Sequence, residues 1–172
     1  MQHLTIPGRL LVGAVLGAAT LAVVTPSAAA APAAQRTPVC LDATNSWADN
    51  TEVRLWACLD HRNQKWVVQD GQIKLRATVG TGREVCLDAT NSRDNGTKVR
   101  LWRCLNHTNQ KWVLRRGQIV VADTFRTGRE VCLDANDSRA NGTNVILWTC
   151  VRGNRNQEWV VQDGHIKVED TL

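Results

Sequence analysis

The chain has 172 residues, 43% of them hydrophobic and 22% charged, enough for one domain with a real core. Its 21 Lys+Arg against 16 Asp+Glu leave a mild positive charge scattered along the sequence, which serves solubility and argues against nucleic acid as a partner. At the N-terminus, Arg9, the apolar run Leu10 to Val24 and the small residues Ser27 to Ala34 have the three parts of a secretory signal peptide. We expect that peptide over 1–30 and a short linker over 31–38. The apolar run falls short of the roughly 20 residues of a membrane span, and no other segment could cross a bilayer. The mature chain is therefore expected to be secreted, extracellular and off the membrane.

From Val39 onward one stretch occurs three times. CLDATNSWADNTEVRLWACLDHRNQKW opens at Cys40, CLDATNSRDNGTKVRLWRCLNHTNQKW at Cys86 and CLDANDSRANGTNVILWTCVRGNRNQEW at Cys132, 46 residues apart each time. A period of this size marks a repeat architecture. We place the repeats at about 39–84, 85–130 and 131–172, together forming one domain over 39–172. Six cysteines in an exported chain suggest a disulfide framework that sequence alone leaves open to many pairings. Identical units should make identical local bonds, so the expected bridges are Cys40–Cys58, Cys86–Cys104 and Cys132–Cys150.

Within a copy, side-chain alternation along a strand assigns the faces. Leu87 faces away from Cys86 and Asp88. Val99 and Leu101 share one face of the second strand, while Arg100, Trp102 and Cys104 share the other. The apolar set goes to the core, and Asp88 and Trp102 flank the disulfide. A carboxylate beside an exposed indole suits a sugar: the ring stacks on the C–H face of a pyranose and the carboxylate accepts from hydroxyls.

The segment between these strands is rich in turn residues. Asn95-Gly96 and Asn141-Gly142 accept positive φ, and Asn50 takes the glycine position in the first copy. Asn95-Gly96-Thr97, Asn106-His107-Thr108, Asn136-Asp137-Ser138 and Asn141-Gly142-Thr143 match a glycosylation sequon, and we read them as turns first. After the second cysteine comes a polar loop, then QKWVVQDGQIKL, QKWVLRRGQIVV or QEWVVQDGHIKV, which reads as strand, turn at Gly, strand. Trp66, Trp112 and Trp159 precede apolar residues and belong to the core. Four short strands in each of three copies, with no helical periodicity, make twelve strands and an all-β β-trefoil.

CLDA, the LW-x-C run and the NQ-x-W motif, in three registered copies from Val39 to about Asp170, resemble the ricin-B-type lectin family, the QxW β-trefoil. The resemblance implies a carbohydrate-binding site in each lobe: Asp42, Trp56, Asn63 and Gln64; Asp88, Trp102, Asn109 and Gln110; Asp134, Trp148, Asn156 and Gln157. Asp takes two sugar hydroxyls, Trp stacks, and Asn bonds a hydroxyl that Asp also holds. Gln follows the parity of the core tryptophan and reads as a brace behind the site. The other reading of Asp is a turn residue bonding its own backbone, and that of the site tryptophans is packing over the disulfide.

There are departures from the family pattern. Where relatives often carry Gln two residues before the stacking aromatic, this chain has Arg54, Arg100 and Ile146, which opens the site to acidic or substituted glycans. Trp47 replaces Arg93 and Arg139 and is either an extra stacking surface or an isolated exposed ring. His61 and His107 read as polar loop residues rather than metal ligands. The loop Val151 to Arg155 has one residue more than its counterparts, so Asn156 is expected to approach Asp134 from a shifted position. Lobes one and two are accordingly expected to carry most of the affinity.

Catalysis finds little support. A glycosidase needs two carboxyl groups facing the scissile bond, and each lobe offers one well-placed Asp. No nucleophile triad, no Cys/His zinc pattern and no calcium loop is present, so no cofactor or metal is expected. The reading is a free-standing, monomeric, non-enzymatic carbohydrate-binding module for glycans or polysaccharides, galactosides or xylan-type chains first among them. The alternative is a trefoil that binds proteins or inhibits hydrolases, which would favour one dominant loop over three similar sites.

Overall fold

A computed structural model describes residues 37–172. The expected signal peptide, and the linker up to residue 36, lie outside the described residues. The strands in chain order are β1 (Val39–Asp42), β2 (Thr51–Glu52), β3 (Arg54–Ala57), β4 (Trp66–Gln69), β5 (Gln72–Leu75), β6 (Val85–Asp88), β7 (Arg100–Arg103), β8 (Trp112–Arg115), β9 (Gln118–Val121), β10 (Val131–Asp134), β11 (Ile146–Thr149), β12 (Trp159–Gln162) and β13 (His165–Val168). One-turn 3-10 segments fill some of the connections, such as Arg62–Gln64 before β4.

Each sheet joins the last two strands of one repeat to the first two of the next. The pairs β4–β5 and β6–β7 share one sheet, β8–β9 and β10–β11 another, and β12–β13 return to β1 and β3. The chain therefore closes on itself, with Cys40 opposite Lys167 and the Val39 N–H donating to Thr171 Oγ1 at 2.9 Å. Around the pseudo-threefold axis, the backbone N–H of Val53 donates to the Val99 carbonyl, Val99 to Val145, and Val145 back to Val53, at 3.0–3.1 Å. Equivalent residues that bond only to one another in a ring require threefold arrangement. This is the β-trefoil read from the repeats.

The described strands number thirteen rather than twelve. Thr51 and Glu52 pair with two residues of β7, whereas Lys98 and Asn144, at the same place in the other lobes, make single bridges to Ile146 and Arg54. The same cross-lobe pairing occurs three times and is long enough to form a separate strand only in lobe one.

The core is the set that the alternation assigned. Leu41, Leu55, Leu87, Leu101, Leu133 and Leu147 are fully buried, together with Ile73, Ile119 and Ile166. Trp66, Trp112 and Trp159 are buried too, and each Nε1 donates to the carbonyl of Leu41, Leu87 or Leu133 at 3.0 Å. A buried indole with its N–H satisfied contributes its whole apolar area, so truncating one to Ala costs about 3–5 kcal/mol. That carbonyl belongs to the residue just before the site aspartate, so the core tryptophan fixes the strand end on which the site depends. Three disulfides, Cys40–Cys58, Cys86–Cys104 and Cys132–Cys150, close identical 18-residue separations, one per lobe, and no cysteine is free.

Candidate functional site

The ladder of the first two strands sets the site's geometry. Cys40 lies opposite Trp56, Cys86 opposite Trp102 and Cys132 opposite Trp148; the aspartates lie opposite Arg54, Arg100 and Ile146, two residues earlier. Asp and Trp thus stand diagonally on one face, beside the disulfide. Trp56 and Trp148 are 41% exposed, and Trp102 is half-buried.

Each aspartate is fixed from two sides. One oxygen accepts the N–H two residues on, that of Thr44, Thr90 or Asn136, at 2.6–2.7 Å. The other accepts from Gln64, Gln110 or Gln157 Nε2 at 2.8–2.9 Å. The turn reading of Asp and the site reading are therefore compatible. A carboxylate has about four lone-pair positions, and two remain for a ligand.

Gln64, Gln110 and Gln157 are fully buried and lie beneath the clefts rather than in them. Besides the aspartate, each amide N–H2 donates to the carbonyl that ends the Trp strand (Ala57, Arg103 or Thr149), at 3.0 Å. Each amide oxygen accepts the N–H of Leu59, Leu105 or Val151 at 2.7–2.8 Å. One buried side chain thus ties the aspartate, the tryptophan strand and the following loop into one unit.

The asparagines line the clefts and are also held. Asn109 and Asn156 accept from Arg93 and Arg139 Nη2 at 2.9 Å, and those arginines pair with Asp123 and Asp170. In lobe one Trp47 does this instead. It is neither a free stacking surface nor an isolated exposed ring: it packs against the core, donates Nε1 to Asn63 Oδ1 at 3.2 Å, and lies under the Arg62 guanidinium at 4.6 Å. Ala77 stands where the other lobes have their aspartate, so an arginine here would lack its counter-ion, and the indole serves as the neutral replacement. The extra residue in the third loop, Gly153, sits at φ +76° and is absorbed in the turn. The expected displacement of Asn156 does not occur: its bonds to Arg139 and to Asp137 Oδ1 reproduce those of Asn109 to Arg93 and Asn91.

Three clefts result. The first, about 340 Å³, is lined by Asp42, Arg54, Trp56, Leu59, His61 and Asn63. The second, about 440 Å³, has Asp88, Trp102, Leu105, His107 and Asn109. The third, about 190 Å³, has Asp134, Ile146, Trp148, Asn154 and Asn156. Of the two arginines expected beside the tryptophans, only Arg54 lines its cleft. Arg100 turns away to the Asn50 carbonyl at 3.0 Å and to Glu52. The third cleft has a second carboxylate, Asp137, where the other lobes have Asn45 and Asn91; the expectation of one acid per lobe fails there.

Alternation within a lobe could not reveal contributions from the neighbouring lobe. Asp49 Oδ1 accepts the Arg103 N–H at 2.6 Å, Asn95 Oδ1 that of Thr149 at 2.6 Å, and Asn141 Oδ1 that of Ala57 at 2.7 Å. Each tryptophan strand is therefore steadied by a turn of another lobe. The repeated Asp/Asn before the positive-φ residue was the available signal.

Among the carboxylates, Glu52 is held below its ordinary range by a hydrogen bond from Lys98, with Arg100 and Arg54 adding to the field. Glu84 is lowered by Lys74 and the Gly80 N–H, and Asp60 by Lys65. None of these three lines a cleft. Among the described residues no group of three His, Cys, Asp or Glu is placed to hold a metal ion.

Over residues 33–159 the sequence matches the ricin-type beta-trefoil lectin domain, and the chain belongs to that family. Such membership places it with carbohydrate-binding domains. Solved structures share the fold. A designed 3-fold symmetric protein, ThreeFoil, is 25% identical, with a TM-score of 0.55 over 71% of this chain and 94% of its own. The β-trefoil lectin of the Vibrio vulnificus hemolysin/cytolysin, solved with N-acetyl-D-lactosamine bound, is 17% identical, with a TM-score of 0.56 over 81% and 93%. The C-half of the earthworm R-type lectin, in complex with GalNAc, is 15% identical, with a TM-score of 0.54 over 74% and 88%. No curated protein matches the chain by sequence.

Proposed function

We propose that the mature chain is a secreted, monomeric, metal-independent and non-catalytic lectin that takes glycan units in up to three clefts. The observation that carries this reading is one constellation repeated three times: an aspartate with two lone-pair positions free, an indole face open to solvent beside it, and an asparagine amide across the cleft. Apolar stacking and a charge-assisted hydrogen bond are what a pyranose offers partners for. Galactosides are the first candidates, since the Vibrio and earthworm lectins were solved with N-acetyl-D-lactosamine and GalNAc, and xylan-type chains are the second.

The test is a glycan array run beside pull-down on insoluble plant polysaccharides, with and without EDTA. Selective binding that survives EDTA, with no reducing ends released on long incubation, is expected. Sustained sugar release, or binding lost in chelator and restored by metal, would overturn the reading. Secretion is checked by N-terminal sequencing of protein from the culture medium, where a start near residue 31 is expected.

A further inference from the structure

The second cleft differs from the other two in what the neighbouring lobe puts into it. Asn50, from lobe one, lines it beside Trp102, as does Arg103. At the corresponding places lobes one and three have Gly142 with Ala57, and Gly96 with Thr149, none of which lines a cleft. Asn50 also keeps an unfavourable backbone. Its φ is +71°, in the region that Gly96 and Gly142 occupy at +86° and +88°. Asparagine tolerates that region better than most residues but less well than glycine.

The Asn50 backbone is fixed by its N–H to the Leu101 carbonyl at 2.9 Å and by Arg100 Nη1 on its own carbonyl at 3.0 Å. Its side chain is exposed and makes no hydrogen bond to the other described residues. A non-glycine residue at positive φ, exposed and lining a binding cleft, points to a function for the side chain. Arg103 is the matching feature. Its guanidinium is largely exposed, and its Nε lies 3.6 Å from Asp49 Oδ2, so the pair presents donors with no net charge.

Resting on the lectin reading above, we infer that the second cleft holds two consecutive sugar residues. The first lies at Asp88 and Trp102. The second lies in a subsite completed across the lobe boundary by Asn50 and Arg103. The ligand class is a neutral oligosaccharide: the amide of Asn50 both donates and accepts, and Arg103, balanced by Asp49, donates to hydroxyl or ring oxygens without demanding an acid. The first and third clefts, bordered by glycine and by Ala57 or Thr149, stop at one residue.

The experiment isolates the second cleft with Asp42→Ala and Asp134→Ala, then titrates galactose against lactose and xylose against xylobiose by calorimetry. One disaccharide is expected to bind at least fivefold tighter than its monosaccharide. Asn50→Gly and Arg103→Ala, each in that background, are expected to bring the ratio close to one while leaving the monosaccharide affinity unchanged and without lowering the Tm. Asn50→Gly installs the residue that the other lobes carry, so folding is preserved. A ratio unchanged in both variants overturns the subsite and leaves the lectin reading standing. Failure of the wild-type chain to bind any of the four sugars, or any glycan on an array, overturns both.

Discussion

The side chain that organises each site is the buried glutamine. Gln110 satisfies Asp88, the Arg103 carbonyl and the Leu105 N–H at once, and no buried side-chain polar atom among the described residues lacks a partner. Replacing it with Ala leaves several groups unpaired in a dry environment. Each orphaned group costs about 1–3 kcal/mol, and because they share one partner the costs do not add fully. Gln110→Ala is expected to lower stability by roughly 3 kcal/mol in denaturant titration and to weaken sugar binding at the second cleft alone. A loss of binding in all three clefts with the fold intact would contradict the local brace. The brace was legible, since Gln recurs two residues before the core tryptophan in every copy and shares its parity. The role of Trp47 was not legible from its own loop. Its meaning depends on Ala77, thirty residues on, where Asp123 and Asp170 stand in the other lobes, so only the paired change explains it.

At the scale of strands and loops, alternation gave the faces and repeat spacing gave the disulfides, because both are local and recur three times. The connections were harder to read. The third loop absorbs its extra residue at Gly153 within its own turn, which the count of residues alone does not reveal. Arg100 turns out of its cleft because lobe-one groups, the Asn50 carbonyl and Glu52, hold it, and no single repeat contains them. Glu52 is the clearest case. It has no acidic counterpart in the other lobes, yet it lies within 3.0–3.8 Å of Lys98, Arg100 and Arg54, gathering cations from two lobes near the axis. Its folded pKa is lowered from 4.5 chiefly by the Lys98 hydrogen bond, as that of Glu84 is by Lys74. With the folded value below the unfolded one, the folded state binds fewer protons in between. Stability is then fully present above about pH 4.5 and falls as pH drops through the depressed values. The Tm is expected to be flat near neutrality and to decline below pH 4.5, and Glu52→Gln is expected to lower it at pH 7 and flatten that acid limb. An unchanged acid limb in the variant would show that Glu52 contributes nothing to it.

On the scale of the molecule, the ring of Val53, Val99 and Val145 makes three lobes equivalent, and the side chains then make them unequal. The first cleft has Arg54, the second is the largest and has Asn50 and Arg103, and the third is the smallest, with Ile146 and a second acid. The expected ranking, with lobes one and two carrying most of the affinity, now rests on cleft size and lining rather than on a displaced Asn156. Three sites on one rigid body also give avidity on a polymer, so losing one cleft looks mild on polysaccharide and severe on a short sugar.

The central claim is that the aspartate beside the exposed indole binds the sugar in each lobe. A hydrogen bond to a charged group contributes about 1.5–3 kcal/mol, about ten- to a hundredfold in affinity. The direct measurement is calorimetric titration of a short oligosaccharide into the wild-type chain, the Asp42→Ala, Asp88→Ala and Asp134→Ala variants and the triple variant, with near-UV circular dichroism confirming that each is folded. The account predicts that Asp42→Ala and Asp88→Ala each remove a binding event, that Asp134→Ala removes the weakest, and that the folded triple variant binds nothing. A folded triple variant that binds like the wild type would contradict it.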